Sequence, residues 1–495
     1  MIPVDRAAAE PLHRQVCESL RQSILEGKLS PGARLPSSRA LASDLGVSRN
    51  TVLLAFEQLL AEGYLSARVG SGTQVARNLP VELLGNRDPA SPATFNGAGR
   101  QLSKRSERFT QVPFVTRRLW GAVRPFQAGL PALDHFPART WATLASKRLR
   151  RRTSDSLSYH DPRGWPDLRS AIAEHLAVAR GVDCEPDQVL VTAGTQQALD
   201  LCSRVLLDPG DVAWIEEPGY TGARAALTAS GARVLPIPVD TEGLQVGHAE
   251  VAAESPRLIY VTPTHQFPTG VTMSLARRLE LLRLAERSQS WILEDDYDSE
   301  FRFEGSPVTA LQGLDRNGRV LYMGSFSKTL APSLRLGFLV LPPDLLDAVL
   351  AARVVMDHQS PTFEQAVLAD FLREGHFARH VRRMRKLYRQ RRDVLVGELD
   401  KHLAGLVEVE ATDTGVHLVA RLPRGINDRA LARAAVEQGL EVEALSSYHM
   451  HAPERGGLVL GYGAFTDEQL VSAAERLAAI FDQPGVLSRE RAVPA

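Results

Sequence analysis

From Tyr159 onward, short apolar runs of strand length alternate with longer segments that have helical periodicity, and this alternation limits the possible folds most strongly. Strands that alternate with helices in this way form a largely parallel sheet covered by helices. We therefore predict an α/β domain built around such a sheet. The predicted strands are Val189–Thr192, Val212–Ile215, Val234–Ile237, Leu258–Val261, Trp291–Leu293, Val320–Met323 and Phe338–Val340, and the helices include Leu168–Ala179, Gln197–Leu207 and Leu275–Arg287.

Small and polar residues follow several of these strands, and in such sheets ligands bind where strand ends open into loops. The turn Val-Thr-Ala-Gly-Thr-Gln at 191–196 opens a helix, whose free backbone N–H groups favour a phosphate. Tyr220 follows another strand, and the run Glu294-Asp295-Asp296-Tyr297-Asp298 brings carboxylates to the end of a third. These positions predict one ligand site built from several loops.

The lysine of Gly324-Ser325-Phe326-Ser327-Lys328 follows the strand that ends at Met323, and Arg335 lies a short way further along the chain. A lysine whose surroundings lower its pKa is a competent amine nucleophile, and its usual partner is a carbonyl cofactor. A lysine after a strand is also commonly a solvated loop residue. The pentapeptide alone leaves both interpretations open.

Together these motifs resemble the aminotransferase-like, fold type I family of pyridoxal 5′-phosphate enzymes over roughly residues 125–480. The resemblance implies pyridoxal 5′-phosphate as the cofactor, with Lys328 as its Schiff-base lysine. It also implies that the protein is a homodimer, because Tyr159 matches a tyrosine that reaches the phosphate of the neighbouring subunit. The remaining implied contacts are Asp295 with the pyridine nitrogen, Tyr297 with the ring hydroxyl, Tyr220 with the ring face, and Gly194, Thr195, Ser325 and Arg335 with the phosphate.

Two departures from working aminotransferases bear on activity. Phe267-Pro268-Thr269-Gly270 stands where those enzymes usually have Asn-Pro-Thr-Gly, so a contact to the ring hydroxyl is missing unless His265 or Gln266 supplies it. Leu458 stands where they commonly place an arginine for the substrate carboxylate, and Arg455 is nearby but offset. A ligand held by another cation, or one without an α-carboxylate, is therefore expected, and full transamination is disfavoured.

The first 78 residues have the pattern of a helix-turn-helix. Helices are predicted over Leu12–Leu25, from Ser37 or Ser38 to Leu45, and over Arg49–Ala61 with Ser48 as its cap. In such a motif the first side chains of the second helix of the pair, here Arg49, Asn50 and Thr51, meet base edges. Two short strands, at 64–66 and 73–75, form a hairpin whose glycines permit close approach to a phosphate backbone.

Residues 8–76 resemble the winged helix-turn-helix domain of GntR-type bacterial regulators, through Gly-Ala-Arg-Leu-Pro-Ser at 32–37, Gly-Val-Ser-Arg-Asn-Thr-Val at 46–52 and Glu-Gly-Tyr-Leu at 62–65. The alternative is a small helical domain that mediates protein contacts only. One such module binds weakly, so a dimer that reads two half-sites is expected. The resemblance implies DNA contacts by Arg39, Arg49, Asn50, Thr51 and Gly70, and phosphate contacts by Arg34 and Arg68.

The two halves together resemble the MocR subfamily of transcription regulators, and three further runs match it, at 126–134, 265–270 and 295–302. The predicted chain is multidomain, with a mostly α winged helix-turn-helix domain at 1–78, a linker at 79–120 and the α/β fold type I domain at 121–495. That domain divides into a large part (121–340), a smaller α+β part (341–483) and a tail (484–495). The resemblance implies a regulator that senses an amine or amino-acid-like effector, or the cofactor itself.

Two other functions remain open at this stage. One is an active aminotransferase that carries a DNA-binding domain, and the other is a cofactor-free fold used only for dimerisation. The formal net charge is +0, so any nucleic-acid site is local. Three scattered cysteines form neither a disulfide framework nor a metal cluster, and no apolar run reaches the ~18 residues of a membrane span. A cytoplasmic protein without a metal site is expected.

Overall fold

Residues 1–101 and 102–495 form two separate units in the structure, which is a computed structural model. It describes residues 4–6, 8, 10–68, 72–77, 79, 103–110, 122–150, 158–247, 255–305, 308–410 and 412–483. In those ranges no helix combines the length and apolar character needed to cross a lipid bilayer. The domain boundaries drawn from the sequence remain predictions.

The first unit is a three-helix cluster with a two-stranded wing. Its helices are α1 (Leu12–Leu25), α2 (Ser38–Asp44) and α3 (Arg49–Ala61), and the antiparallel strands are β1 (Leu65–Arg68) and β2 (Gly72–Val75). Apolar residues spaced along α1 and α3, such as Leu20 and Phe56, meet in one buried core. Ser37 and Ser48 cap α2 and α3, because their hydroxyls accept the backbone N–H of Ala40 (3.2 Å) and Thr51 (3.1 Å).

The second unit is organised around a mixed sheet covered by helices. The sheet order is β3-β10-β9-β8-β7-β4-β5-β6. Its strands in the described residues are β3 (Val189–Thr192), β4 (Val212–Glu217), β5 (Arg233–Asp240), β6 (Gly243–Leu244), β7 (Leu258–Val261), β8 (Trp291–Asp296), β9 (Val320–Ser325) and β10 (Gly337–Val340). The helices are α4 (Lys104–Thr110), α5 (Ala138–Arg150), α6 (Pro166–Arg180), α7 (Thr195–Leu206), α8 (Thr221–Ser230), α9 (Leu275–Ser288), α10 (Leu311–Leu314), α11 (Leu346–Asp357), α12 (Phe363–Arg373), α13 (His376–Leu403), α14 (Asp428–Glu437) and α15 (Asp467–Phe481).

The predicted parallel arrangement holds for most of the sheet. Strands β4, β5, β7, β8 and β9 pair in parallel, whereas β10 is antiparallel to both β3 and β9. The chain returns from Ser325 to Gly337 through a single 3-10 turn, Pro332–Leu334, which is too short for a crossover helix. The six strands that run in one direction therefore present their carboxyl ends at one edge.

Both faces of the large sheet are buried, which explains why its strands appear in the sequence as continuous apolar runs. Val189 and Val191 of β3 pack with Leu168 and Ile172 of α6 on one face. Leu190, which lies between them, packs with Leu199 of α7 on the other face. The sheet is thereby held between helices and its carboxyl edge is left for loops.

A four-stranded antiparallel sheet forms the smaller part, in the order β11-β12-β14-β13. Its strands are β11 (Glu408–Glu410), β12 (His417–Arg421), β13 (Glu443–Ala444) and β14 (Gly457–Gly461). Leu418, Leu458 and Leu460 point to a core shared with α14, α15 and the second half of α13. Phe126 and Ala132 belong to the same core, so the segment before α5 packs against this part. The other face of the sheet looks toward the large sheet.

Candidate functional site

A cavity of about 530 Å³ lies between the carboxyl edge of the large sheet and the smaller sheet. It brings together eight of the nine residues predicted for the cofactor. Those eight are Gly194, Thr195, Tyr220, Asp295, Tyr297, Ser325, Lys328 and Arg335. Tyr159 is not among them, since it is 85% exposed and its ring lies 6.0 Å from that of His358. Its contact with a neighbouring subunit remains a prediction.

Lys328 is delivered to the cavity by the turn after β9. Its Nζ donates a hydrogen bond to the carbonyl oxygen of Gly129 (2.6 Å). Gly129 is held there because the backbone of Phe126 accepts the N–H of Gly461 on β14 (2.8 Å). Burial lowers the pKa of Lys328, although Asp298 and Asp295 oppose the shift. The lysine amine is therefore closer to its neutral, nucleophilic form than a solvated lysine is.

Asp295, at the end of β8, is a buried carboxylate with one satisfied and one unsatisfied oxygen. Its Oδ2 accepts a hydrogen bond from the hydroxyl of Tyr260 (2.8 Å), whereas Oδ1 has no partner among the described residues. Burial raises the pKa of Asp295 to about 7, against the lowering effect of the Tyr260 hydrogen bond. A buried acceptor without a donor is uncommon in folded proteins and calls for a partner. The N–H of a protonated pyridine ring is such a donor.

Tyr297 is positioned by a buried histidine. Nδ1 of His265 lies 2.9 Å from the Tyr297 hydroxyl and 2.8 Å from Oδ2 of Asp298. Gln266 is instead bonded to the carbonyl of Pro218 (2.8 Å). Of the two residues considered as replacements for the missing asparagine, His265 is therefore the one that contacts Tyr297.

One end of the cavity has the features of an anion site. Gly194 caps α7 with a φ of 98°, and the free N–H groups of the first turn begin at Thr195. A Cβ at Gly194 would lie 3.5 Å from Nη1 of Arg335, so the guanidinium packs against the bare glycine. The hydroxyl of Ser325 lies beside them and accepts the N–H of Ser327 (3.0 Å). A helix terminus, a guanidinium and a hydroxyl at one place suit a phosphate.

These features fit the cofactor implied by the sequence resemblance. The unsatisfied oxygen of Asp295 suits a pyridine nitrogen, the anion site beside Arg335 suits a phosphate, and the amine of Lys328 suits an aldehyde. The ring of Tyr220 supplies an aromatic wall, packed edge-on against Phe267 with ring centroids 5.9 Å apart.

The sequence interpretation of Leu458 as the residue facing the ligand is wrong. Leu458 packs into the core of the smaller part, whereas the next residue, Val459, packs with Val419, Ala128 and Phe267 on the cavity side. Arg455 does not substitute for it, because its Nε donates to a backbone carbonyl and its guanidinium pairs with Glu408. On the cavity side, strand β14 therefore carries an apolar side chain, which Phe267 and Tyr448 cover.

Several cavity residues carry no sequence signal that singled them out. Tyr260 lies in an apolar strand, and its hydroxyl contact with Asp295 depends on the β7–β8 pairing. Gly129 lies in the matched run 126–134, which gave a resemblance but no role. His417, Glu441 and Glu443, which also line the cavity, come from the smaller part.

The candidate DNA-reading residues lie around the turn between α2 and α3. Arg49 and Asn50 are exposed at the start of α3. Thr51 is half-buried, and its hydroxyl lies 2.8 Å from that of the capping Ser48. Arg39 is exposed on α2, and Arg34 lies beside the wing, where its backbone bridges to Gln74. The side chain of Arg68, and Gly70, lie outside the described residues.

Comparison with known families gives two matches. Residues 126–477 match the family described as aminotransferase class I and II, and residues 12–75 match the family described as bacterial regulatory proteins, gntR family. The Rhizobium meliloti protein named probable rhizopine catabolism regulatory protein MocR is 44% identical, over 100% of this chain and 99% of its own. HTH-type transcriptional regulator TauR of Rhodobacter capsulatus is 39% identical, over 81% of this chain and 83% of TauR.

Solved structures resemble the second unit. LysN, an α-aminoadipate aminotransferase from Thermus thermophilus complexed with N-(5′-phosphopyridoxyl)-L-leucine, is 30% identical. The TM-score is 0.67, and the match covers 78% of this chain and 96% of LysN.

Proposed function

Because this chain belongs to the MocR subfamily of GntR-type bacterial transcription regulators, with a body of the aminotransferase class I and II family, we propose that an amine effector acting at Lys328 changes its binding to operator DNA. The protein is a transcription regulator, and its cofactor is pyridoxal 5′-phosphate. The effector is an amine or amino-acid-like molecule, or the cofactor itself. The proposal includes a cytoplasmic location, because that is where a bacterial regulator meets its operator DNA.

The observation that carries this proposal is the amine of Lys328 in one cavity with the unsatisfied Asp295 oxygen and the anion site of Arg335. When bound, the cofactor supplies an aldehyde that reacts with primary amines and a ring that withdraws electrons. Lys328 would hold it, Asp295 would keep its nitrogen protonated and Arg335 would bind its phosphate. Gly194, Thr195 and Ser325 complete the phosphate end, Tyr220 the ring face and Tyr297 the ring hydroxyl.

The contact between Lys328 and Gly129 suggests how ligand binding in the cavity changes the smaller part. A lysine with a free amine donates a hydrogen bond to the Gly129 carbonyl, and the segment of Gly129 pairs with the end of β14 through Phe126. A lysine engaged elsewhere cannot make that bond. The effector alters DNA binding only if it has different affinities for the two arrangements.

Dimerisation belongs to the same proposal. A single winged helix-turn-helix reads one half-site, and two copies of this chain would read a pair of half-sites. Tyr159, an exposed aromatic residue outside the cavity, would contact the phosphate end in a second copy. Light scattering of the purified protein, with and without a Tyr159→Ala substitution, separates a role in assembly from a role in cofactor affinity.

The test is a titration of operator DNA, taken from the regions upstream of the gene itself and its neighbours, with and without amines. Lys328→Ala protein should bind the operator as wild type does but show no response to an amine. Lys401→Ala is the matched control, because Lys401 is an exposed lysine on α13 that pairs with Glu398 (3.2 Å). An unchanged amine response of the Lys328→Ala protein would overturn the proposal.

An active aminotransferase is the second candidate, since Lys328, Asp295 and Arg335 are brought together in the cavity as that chemistry requires. Incubation with an amino donor and a keto acid distinguishes the two. Steady turnover would establish the enzyme, whereas at most one half-reaction per lysine would favour the regulator.

A further inference from the structure

We propose that the effector of this site is a primary amine without a carboxylate, whose second end carries an ammonium or hydroxyl groups that donate hydrogen bonds to Glu441, Glu443 and His417. This inference rests on the function proposed above, because it names the class of amine that the Lys328 cavity takes. It follows from the hydrogen-bonding character of the wall that the smaller sheet presents to the cavity.

That wall is defined by the register of three strands. Val419 of β12, Val459 of β14 and Glu443 of β13 are successive cross-strand partners, so their side chains lie on the same face. His417 lies on this face two residues before Val419. On the opposite face, Leu418, Leu458 and Ala444 fill the core of the smaller part. The alternation leaves two apolar residues flanked by a histidine and a glutamate on the cavity side.

Glu441 extends the acidic edge of this wall. The segment before β13 alternates in the same way, since Glu441 and Glu443 line the cavity and Val442 between them is buried in the core. Glu441 forms an ion pair with the partly exposed Arg124, in which the carboxylate oxygen lies 4.0 Å from Nη1, longer than a hydrogen bond. Two carboxylates on one stretch of wall favour a positively charged or hydrogen-bond-donating group and disfavour a carboxylate.

His417 adds a buried acceptor to the same wall. The side chain is buried, with 1% of its surface exposed, and its Nε2 lies 3.1 Å from the carbonyl oxygen of Pro268. A carbonyl only accepts, so Nε2 carries the proton and Nδ1 has the lone pair. Within the described residues Nδ1 has no hydrogen-bond partner. Burial, with the charges of His265 and Lys328, lowers the pKa of His417 to about 3, which keeps the ring neutral.

The cations of the cavity are placed elsewhere. Among the described lining residues the cationic side chains are Lys328 and Arg335. Arg335 packs against Gly194 at the anion site, and Lys328 is the amine that reacts. The smaller part thus lines the cavity with His417, Glu441, Glu443 and Tyr448, none of which is a cation. A carboxylate placed against it would face the carboxylates of Glu441 and Glu443, a like-charge repulsion that selects against amino acids.

The test compares four primary amines that differ at the second end. These probes are putrescine with an ammonium, aminobutanol with a hydroxyl, γ-aminobutyrate with a carboxylate and propylamine with no second polar group. Each is titrated into the full-length protein loaded with pyridoxal 5′-phosphate. Two signals are followed, the absorbance of the bound cofactor and the affinity for operator DNA.

We expect putrescine or aminobutanol to bind about tenfold or more tightly than γ-aminobutyrate and propylamine, equivalent to about 1.4 kcal/mol. The tighter of the two identifies the second end as ammonium or hydroxyl. A protein with both Glu441→Gln and Glu443→Gln should lose most of the discrimination against γ-aminobutyrate. Glu454→Gln is the control, because it removes the same charge from an exposed residue that pairs with Arg424.

The outcomes separate this inference from the function on which it rests. Tightest binding of γ-aminobutyrate, or equal binding of all four amines, overturns the inference while leaving an amine-responsive site intact. If none of the amines changes the absorbance or the operator affinity, both the proposed function and the inference fall. The comparison among amines on wild-type protein decides the matter even if the double variant does not fold.

Discussion

Asp295 and Asp296 are consecutive residues on β8 whose carboxylates have opposite surroundings. Asp296 pairs with the guanidinium of Arg180 (2.7 Å) and accepts a hydrogen bond from Tyr322 (2.6 Å). Each carboxylate has one oxygen with no partner in the described part of the chain, but only Asp295 lines the cavity of Lys328. Burial raises the pKa of Asp295 to about 7, whereas Arg180, Ser299 and Tyr322 outweigh burial at Asp296 and hold its pKa below its usual range. One carboxylate belongs to the ligand site and the other to the scaffold.

Asp295→Asn should stabilise the cofactor-free protein at neutral and higher pH. The raised pKa of Asp295 means that its contribution to stability is full below about pH 4 and is lost as the pH rises through about 7. An asparagine stays neutral at all these pH values. The free energy of unfolding of the variant should therefore exceed that of wild type by an amount that grows between about pH 4 and 7, to at most about 4 kcal/mol. Thermal unfolding at about pH 5 and about pH 8 measures it.

Asp296→Asn is the neighbouring comparison and should act in the opposite direction. The lowered pKa of Asp296 gives stability that is present above its unfolded pKa and lost on acidification. Its removal leaves the buried Arg180 without its charged partner, at a cost of about 3–5 kcal/mol. Equal responses of the two variants to pH would contradict the assignment of roles.

Tyr297→Phe and His265→Phe should both weaken cofactor binding, but only the second should destabilise the protein strongly. Loss of the Tyr297 hydroxyl removes the hydrogen bond that we propose it makes to the ring hydroxyl of the cofactor, worth about tenfold in affinity. His265→Phe removes the residue that positions this hydroxyl and also leaves Asp298 buried without its partner. Equilibrium dialysis of the cofactor and urea unfolding together measure the two effects. Unchanged stability of His265→Phe would show that Asp298 does not depend on this pair.

Gly194→Ala should lower cofactor affinity through the phosphate end. Its φ of 98° is unfavourable for alanine, and the new Cβ would lie 3.5 Å from Nη1 of Arg335. Gly210 is the matched control, with a φ of 100° and nothing within 4 Å of a Cβ. Both substitutions should lose about 1–2 kcal/mol of stability. Only Gly194→Ala should weaken binding of the cofactor, and equal losses of affinity would argue against a phosphate beside Gly194.

Substitutions at the start of α3 should separate sequence reading from phosphate contact. Arg49→Ala and Asn50→Ala should reduce the preference for operator over random DNA, since their side chains are predicted to reach base edges. Arg34→Ala should weaken both kinds of DNA and lower the salt dependence of log K by about one. Lys28→Ala is the control, because Lys28 is an exposed cation that follows α1 and pairs with Glu26 (2.6 Å). A similar loss of DNA affinity in Lys28→Ala would show that overall positive charge, and not a specific phosphate contact, causes the effect.

Local sequence patterns predicted the helices well where the apolar periodicity and the capping residue indicate the same boundary. Helices α1 and α3 have the predicted bounds, because apolar spacing and a serine cap indicate the same start for α3, and glycines follow the ends of both helices. The eight residues predicted for the cofactor could be found because each lies at the end of a strand of the large part or in the loop after it. Their convergence is a consequence of the parallel sheet.

The residues of the smaller part that line the cavity could not be predicted from the sequence, for a physical reason. Residues of β12, β13 and β14 become neighbours only through antiparallel register, and an error of one residue moves a side chain to the opposite face. The assignment of Leu458 rather than Val459 to the cavity face is such an error of one residue. Glu441 and Glu443 gave no signal, because two acids that flank a valine are typical of any half-buried segment. The role predicted for Tyr159 could not be checked in one chain, because it requires a second copy.

The placement of Phe126 and Gly129 has a consequence for how such regulators are assembled from parts. Phe126 is fully buried in the core of the smaller part, and Gly129 accepts the hydrogen bond of Lys328. The segment 126–129, near the start of the second unit, is therefore part of the proposed sensor. A chimera that joins a foreign DNA-reading domain to this body should keep its response if the junction lies before residue 122. A junction after Gly129 would exchange the DNA target and remove the response together.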